Sequence, residues 1–228
     1  MSPVNTTDRI VWIDCEMTGL DLGADALIEV AAVVTDSELN VLGDGIDVLI
    51  APPAEALEQM GDFVREMHTT SGLLEELPGG TTMADAQARV LEYIRTWVPE
   101  PGKAPLAGNS VGTDKTFLER DMPELVGHLH YRIVDVSSIK ELARRWYPRV
   151  YFASPAKTGG HRALGDILDS IDELRYYREA LFVPQPGTDS RTAKAIAERI
   201  AAPSVARSIG TPETAAETGT EADAAPLS

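Results

Sequence analysis

Two carboxylates stand two residues apart near the start of the chain, at Asp14 and Glu16. They lie at the end of Arg9–Cys15, an apolar run that predicts a buried strand. Side chains two residues apart on a strand share a face, so both acids point the same way and Cys15 points to the other face. Close carboxylates repel each other unless a cation holds them, and hard oxygen ligands suit magnesium or manganese. The alternative, which a bare Asp-x-Glu favours, is a strand end with two ordinary surface acids.

Leu20 follows these acids in the run Met17-Thr18-Gly19-Leu20. Gly19 permits a tight turn and lets the backbone approach a ligand. An apolar side chain on such a loop has no evident core role, which suggests contact with a ligand. The alternative is a leucine that folds back under its own loop.

Asp114 stands just after a stretch rich in glycine and small polar residues, residues 108–113. This stretch leads from a predicted strand, Pro105–Gly108, into a predicted helix, Thr113–Asp121, with Thr113 as N-cap. An acid near a helix N-terminus could join a metal site. It is also favourable there as a cap alone, so both interpretations stay open.

His161 and Asp166 are the last candidate pair. Five residues on one helix would separate them by roughly 140°. Gly159-Gly160 therefore places His161 on a loop, just before a predicted helix at Arg162–Leu181. A loop histidine beside a metal site can act as a general base. The alternatives are a solvated histidine and an exposed helical acid.

The elements that must position these residues follow from hydrophobic periodicity. Three strands with short links favour antiparallel neighbours: Arg9–Cys15, Ala26–Thr35 and Val41–Ile50. Helices and strands then alternate, in the order helix Met83–Val98, strand Pro105–Gly108, helix Thr113–Asp121, strand Arg132–Val136, helix Ser137–Trp146, polar loop Val150–Gly160 and helix Arg162–Leu181. This order predicts an α/β fold, a mixed sheet flanked by helices.

Length and composition set further limits on 228 residues with a net charge of −16. We expect a polar N-terminal segment (1–8), one catalytic domain (9–183) and a low-complexity, disordered tail (184–228) with a short helix near 192–202. One cysteine and no apparent signal peptide or membrane span predict a cytoplasmic protein without disulfides. The acidic charge argues against binding of long duplex nucleic acid, while a short substrate remains compatible.

Several runs of the sequence resemble the DEDD-type exonucleases, in the branch with a histidine five positions before the last aspartate, and within it the oligoribonucleases. The runs are WIDCEMTGLD, HTTSGL, GNSVGTDKTFLERDMPELVGHLHYRIVDVSSIKELARRWYP and HRALGDILDSIDELRYYRE. The resemblance implies an RNase H-like five-stranded fold, a homodimer, two divalent metal ions (Mg²⁺ or Mn²⁺), and release of 5′-mononucleotides from the 3′ end of short RNA, especially dinucleotides.

The resemblance also implies roles for individual residues. The metal ligands would be Asp14, Glu16, Asp114 and Asp166, and the general base His161. Leu20 would wedge between the bases, His68 would lie near the substrate, and Tyr131 would come from the other subunit. The 5′ phosphate would be capped by Ser110, Arg132, Ser137 and Ser138. Phe63 stands where the family often has tryptophan, and it would bind substrate by stacking on a base with less area. Gly165 stands where an acid is common, and neither departure touches a metal ligand.

Two other functions compete with this hypothesis. A related exonuclease that trims longer RNA or DNA 3′ ends would not need the phosphate-capping residues. A non-catalytic binding module on the same fold would lack one of the acids or His161, and all five are present.

Overall fold

The computed structural model describes residues 8–158 and 160–201, and its centre is a five-stranded mixed sheet in the order β3-β2-β1-β4-β5. The strands are β1 (Ile10–Met17), β2 (Leu27–Thr35), β3 (Val41–Leu49), β4 (Pro105–Gly108) and β5 (His130–Asp135). The first three pair antiparallel, and β4 lies parallel to both β1 and β5. The predicted mixed sheet with antiparallel early strands is thus confirmed.

The apolar runs of β1 and β2 explain why these strands are central. All nine residues of β2 are buried, as a strand covered on both faces requires. Along β1, Val11, Ile13 and Cys15 pack into one hydrophobic cluster, while Trp12 packs into the cluster on the other face. The alternation places Asp14 and Glu16 on the Trp12 face, opposite Cys15.

Helices cover both faces of the sheet. They are α1 (Ala54–Glu58), α2 (Asp62–Thr70), α3 (Leu73–Glu76), α4 (Met83–Trp97), α5 (Gly112–Asp121), α6 (Pro123–His128), α7 (Val136–Trp146), α8 (Pro148–Phe152) and α9 (Ala163–Leu181). The helix α4 buries Ala86, Val90 and Ile94 in the Cys15 cluster. The helix α9 buries Ile167, Ile171 and Leu174 in the Trp12 cluster, and so lies over the face that carries Asp14 and Glu16.

Three local predictions were wrong. Thr113 is not the N-cap of α5, because the helix begins at Gly112 with Val111 in the cap position. The predicted loop Val150–Gly160 starts late, since its first three residues belong to α8. The predicted strand Arg132–Val136 runs instead from His130 to Asp135, and Val136 opens α7 because the side chain of Asp135 caps that helix.

The chain divides into two units, Met1–Phe182 and Val183–Ser228. The described part of the second unit contains α10 (Ser190–Ala201), where a short helix near 192–202 was predicted. The disorder predicted beyond it, and most of the polar segment 1–8, fall outside the described residues. Across the residues that the structure describes, no helix combines the length and apolar character needed to cross a membrane.

Candidate active site

Three carboxylates converge where β1 meets the start of α9. Ligand oxygens of Asp14, Glu16 and Asp166 lie within 4.8 Å of one another. Asp14 and Glu16 come from one face of β1, and Asp166 from the first turn of the helix that covers this face. Three hard oxygen donors at this spacing could hold a divalent metal ion of the magnesium or manganese class.

A hydrogen bond from the backbone of β1 holds Asp114 beside this group. The N–H of Cys15, between the two β1 acids, donates to Oδ1 of Asp114 at 3.0 Å. The described pairing of β1 with β4 reaches only Trp12, so the first turn of α5 supplies a carboxylate where the sheet ladder has stopped. Asp114 is therefore neither a simple helix cap nor one of the three clustered acids.

Burial and mutual repulsion strongly perturb these acids. Burial, followed by the charges of Asp114, Glu16 and Asp166, raises the pKa of Asp14 from 3.8 to about 9. Burial and the nearby Glu29 raise the pKa of Glu16 from 4.5 to about 8. Burial also raises the pKa of Asp114, to about 6, and that of Asp166. Without a cation this cluster retains protons near neutral pH, so it favours any ion that can replace them.

His161 lies on the segment directly before α9, as its glycine neighbours predicted. Its side chain is exposed, and its backbone is left-handed, with φ of 61°. Gly160 before it has φ of 67°. A non-glycine residue in this conformation carries steric strain that surrounding contacts must hold in place.

Leu20 and Phe63 present large apolar side chains to solvent. Leu20 is 74% exposed on the loop after β1, which rules out a leucine folded back beneath it. Phe63, on α2, is 80% exposed. Their exposure leaves both side chains accessible to a ligand, and their substrate roles stay predictions.

His68, on the same helix as Phe63, is fully buried against the metal-ligand candidates. Its Nε2 lies 2.9 Å from the carbonyl oxygen of Met17, so this nitrogen carries the proton. Its Nδ1 lies 3.9 Å from Oε2 of Glu16 and has no hydrogen-bond partner within the described part of the chain. Burial lowers the pKa of His68, which keeps the ring neutral.

Three serines predicted to cap a phosphate meet around Asp135. The hydroxyls of Ser110 and Ser137 lie 3.0 Å apart. One Asp135 oxygen accepts the N–H groups of both these serines, and the other accepts the hydroxyl of Ser138 at 2.7 Å. Ser137 and Ser138 border a cleft of about 630 Å³ that Lys140 also lines.

Tyr131 and Arg132 lie on β5, the strand at the sheet edge. Tyr131 is 77% exposed and stacks on His130. The guanidinium of Arg132 lies 5.4 Å from the centre of the Tyr131 ring. The described contacts of Arg132 are thus local to β5, and its phosphate role stays a prediction.

Sequence reasoning missed the residues that hold these side chains in place. Asp135 organises the serines, Asn109 accepts the Ser137 hydroxyl, and Asn109 in turn donates to Glu173, a buried acid of α9. Glu29 and Arg162 pair between β2 and α9. Glu29 had a local signal, because a charged residue in the otherwise apolar run LIEVAAVV needs a partner.

Comparison with known proteins places this geometry among nucleases. The family model described as Exonuclease (RNase_T) matches residues 11–174. An oligoribonuclease of Streptomyces griseus is 73% identical over 197 residues, covering 86% of this chain and 98% of that protein. An oligoribonuclease of Cutibacterium acnes is 64% identical over 190 residues, which cover 83% of this chain and 94% of that protein. An oligoribonuclease of Mycobacterium avium is 59% identical over 191 residues, which cover 83% of this chain and 89% of that protein.

Solved structures share the fold at low sequence identity. Exonuclease I from Methylocaldum szegediense aligns with a TM-score of 0.55 and 20% identity, over 76% of this chain and 41% of that one. The zinc-bound form of Escherichia coli exonuclease I with single-stranded DNA aligns with a TM-score of 0.58 and 16% identity, over 76% and 41%. These likenesses confirm the predicted RNase H-like exonuclease fold.

Proposed function

The chain belongs to the oligoribonuclease family of exonucleases, and we propose that it hydrolyses short oligoribonucleotides from the 3′ end to 5′-mononucleotides. The observation that carries the chemistry is the convergence of Asp14, Glu16 and Asp166 within 4.8 Å. A phosphodiester is anionic and resists attack, so cleavage requires concentrated positive charge, and this cluster is built to bind cations.

The donor set fits divalent ions of the hard class. Every ligand offered is a carboxylate oxygen, and repulsion among buried acids makes cation binding favourable. Asp14, Glu16, Asp114 and Asp166 would hold two ions, magnesium or manganese, which supply an activated water and neutralise charge on the leaving 3′ oxygen. Asp14, on the central strand, lies close enough to the three other acids for their charges to raise its pKa, so it would share in holding the ions.

His161 would act as the general base that takes the proton of the attacking water. It precedes α9, whose first turn carries Asp166, and its exposed ring can reach solvent. Histidine is the side chain that enzymes most often use as a general base.

The serine group around Asp135 supports a preference for very short RNA. Ser110, Ser137 and Ser138 gather around Asp135, and Lys140 lines the cleft that Ser137 and Ser138 border. Hydroxyl groups can rotate to donate to phosphate, and Arg132 would add a charge-assisted hydrogen bond. A terminal 5′ phosphate held there leaves no path for further nucleotides.

Leu20 and Phe63 would contact the bases, while His68, fully buried beside Glu16, would lie near the substrate. Leu20 and Phe63 offer exposed apolar surface, which suits base stacking and wedging. These contacts are independent of base identity, as expected for an enzyme that clears mixed RNA fragments in the cytoplasm.

A homodimer fits the edge formed by β5, α7 and α8. Large apolar side chains are exposed there on an edge strand and the helices after it, namely Tyr131, Ile133, Leu142, Trp146, Tyr147 and Phe152. Such a patch beside an unpaired strand is typical of an association surface. Dimerisation would place Tyr131 of one subunit at the site of the other.

The test is turnover of 5′-phosphorylated RNA two to about ten nucleotides long, with magnesium, manganese or EDTA. We expect metal-dependent mononucleotide release that is fastest on the dinucleotide. Equal or faster cleavage of the longer chains would refute the phosphate cap and indicate an exonuclease that trims longer ends. Activity that persists in EDTA would refute the metal assignment.

A further inference from the structure

A buried acid of β2 holds the chain directly after His161. Glu29 is fully buried, and on the sheet it lies opposite Glu16. Its Oε1 accepts from Nε of Arg162 at 2.9 Å, and its Oε2 accepts from the N–H of Ala163 at 2.9 Å. One carboxylate thus fixes both the side chain and the backbone at the N-terminus of α9.

Arg162 is held from a second side by α3. Its two terminal nitrogens donate to the two carboxylate oxygens of Glu76, at 3.2 and 3.0 Å. A bidentate guanidinium–carboxylate pair fixes orientation as well as distance. Arg162 is therefore anchored between the core strand β2 and the surface helix α3.

The residue before this anchor is strained. His161 and Gly160 are consecutive residues with positive φ, a conformation that a non-glycine residue rarely adopts. On the far side of the loop, Thr158 donates its N–H and its hydroxyl to the two oxygens of Asp169 on α9. The segment that carries His161 is thus attached at both ends, and its C-terminal attachment is the Glu29–Arg162 pair.

We propose that Glu29 and Arg162 are positioning residues for the reaction, which hold His161 in the strained conformation from which it takes the proton. This rests on the proposed role of His161 as general base. The Arg162 guanidinium is engaged with Glu29 and Glu76, and Glu29 has no exposed surface to offer a substrate. The pair acts through the backbone of the next residue.

The test is a double-mutant cycle on kcat for a 5′-phosphorylated diribonucleotide with manganese. Glu29→Gln keeps the shape of the side chain but weakens its hold on Arg162. In the wild-type background we expect kcat to fall about 10–100-fold, as for other orienting partners of catalytic groups. In a His161→Ala background the same change should cost less than about twofold, because the positioned group is gone.

Two measurements separate positioning from general damage. Manganese affinity, measured by calorimetry on Arg162→Lys, should stay within about twofold of wild type. This variant keeps the positive charge near Glu16 and the backbone carbonyl that accepts the N–H of Asp166. Arg162→Lys, which keeps the charge but loses the bidentate geometry, should reproduce the pattern and carries the test if Glu29→Gln does not fold. Arg178→Gln is the matched control: it removes a guanidinium pair from the last turns of α9 to Glu38 and should leave kcat unchanged.

Equal losses of kcat in both backgrounds, or a weakened manganese affinity in Arg162→Lys, would overturn the proposal. So would wild-type kcat in Glu29→Gln or Arg162→Lys. A wild-type kcat in His161→Ala alone would instead refute the general base, and the positioning proposal with it, while metal-dependent hydrolysis would remain intact.

Discussion

At the scale of single residues, four acids lie so close together that their ionised forms would be unfavourable without bound cations. They are Asp14, Glu16, Asp114 and Asp166. Asp14 and Glu16 lie on a central strand, and buried carboxylates a few ångströms apart cannot all ionise. The proposed metal site is therefore assembled at the expense of local stability, and unfolding experiments can measure this cost.

The first prediction concerns the metal ligands. Asp14→Asn or Asp166→Asn should lower turnover of the dinucleotide by at least ~100-fold. Mutation of a residue that only orients a metal ligand costs about 10–100-fold in activity, and loss of the ligand itself should cost more. Initial rates with saturating manganese provide the measurement. Glu92→Gln, an exposed acid on α4 across the sheet, is the control. Near-normal rates in either aspartate variant would contradict the assigned metal site.

The second prediction concerns His161. His161→Ala should lower kcat by about 10²–10⁴-fold, the usual contribution of a general base, with little change in KM. Steady-state kinetics and equilibrium binding of the dinucleotide in calcium separate the two effects. A variant that loses binding while its kcat is retained would assign His161 to substrate contact instead.

The third prediction follows from the pKa of Asp14, raised from 3.8 to about 9 by burial and neighbouring acids. Between these values the folded protein binds more protons than the unfolded chain, so its free energy of unfolding falls as pH rises. In EDTA, the melting temperature should fall as the pH rises from about 5 toward 9. Thermal unfolding at a series of pH values from about 4 to 9 provides the measurement. Asp14→Asn should flatten this dependence and be more stable than wild type at the alkaline end.

Manganese provides the control for that measurement. Metal should raise the melting temperature of wild type most at alkaline pH, where fewer protons compete for the carboxylates, and should stabilise Asp14→Asn less. If the melting temperatures of metal-free wild type and Asp14→Asn changed with pH in the same way, burial of Asp14 would carry no energetic cost.

At the scale of elements, the loop after β1 is held by one carboxylate. Asp25 accepts the hydroxyl of Thr18 at 2.9 Å and the N–H of Asp21 at 2.9 Å. A Cβ on Gly19 would lie 2.3 Å from Asp25 Oδ2, so only glycine fits this turn. Leu20 projects from the same loop.

The fourth prediction tests this loop. Asp25→Ala should raise KM for the dinucleotide about fivefold. Each hydrogen bond to Asp25 stabilises the ordered loop that presents Leu20 by about 1 kcal/mol, and this stabilisation is lost in the variant. Asp36→Ala removes a similar turn carboxylate between β2 and β3 and is the matched control. Steady-state kinetics should show an unchanged KM in the control. An equal effect on both variants would argue against a role for loop order.

Element prediction from sequence succeeded where periodicity was long. The strands of the early sheet and the helices α4, α7 and α9 have clear apolar patterns. The short helices α1, α2, α3 and α6 have four to nine residues each, too few to establish a helical period. They carry or support Phe63 and His68, so the substrate side of the site was the less predictable part of the fold.

At the scale of the whole molecule, the exposed apolar side chains on β5, α7 and α8 lead to the fifth prediction. Trp146, 65% exposed, should anchor a dimer, so Trp146→Glu should convert a dimer into a monomer in light-scattering measurements. Val41→Glu alters an exposed apolar residue on the opposite edge strand and should leave the mass unchanged. A monomeric wild-type protein would refute the association surface.

Net charge, another property of the whole chain, agrees with a short substrate. A charge of −16 repels long polyanions, whereas a dinucleotide with few phosphates can be held by metal ions and one capping group. Adding salt should therefore weaken binding of the dinucleotide less steeply than is usual for proteins that bind long nucleic acid.

The sequence by itself determined the order of the acids, the facing of Asp14 and Glu16, and the placement of His161 before α9. These follow from the alternation of side chains along a strand and from glycines that mark a loop, both of which are properties of short stretches of sequence. Only the tertiary structure decided that Asp166 meets the β1 acids, that Asp114 bonds the Cys15 N–H, and that Glu29 holds Arg162. Each of these contacts joins residues about a hundred or more positions apart, and such distances are set by packing of helices on the sheet, which no local pattern encodes.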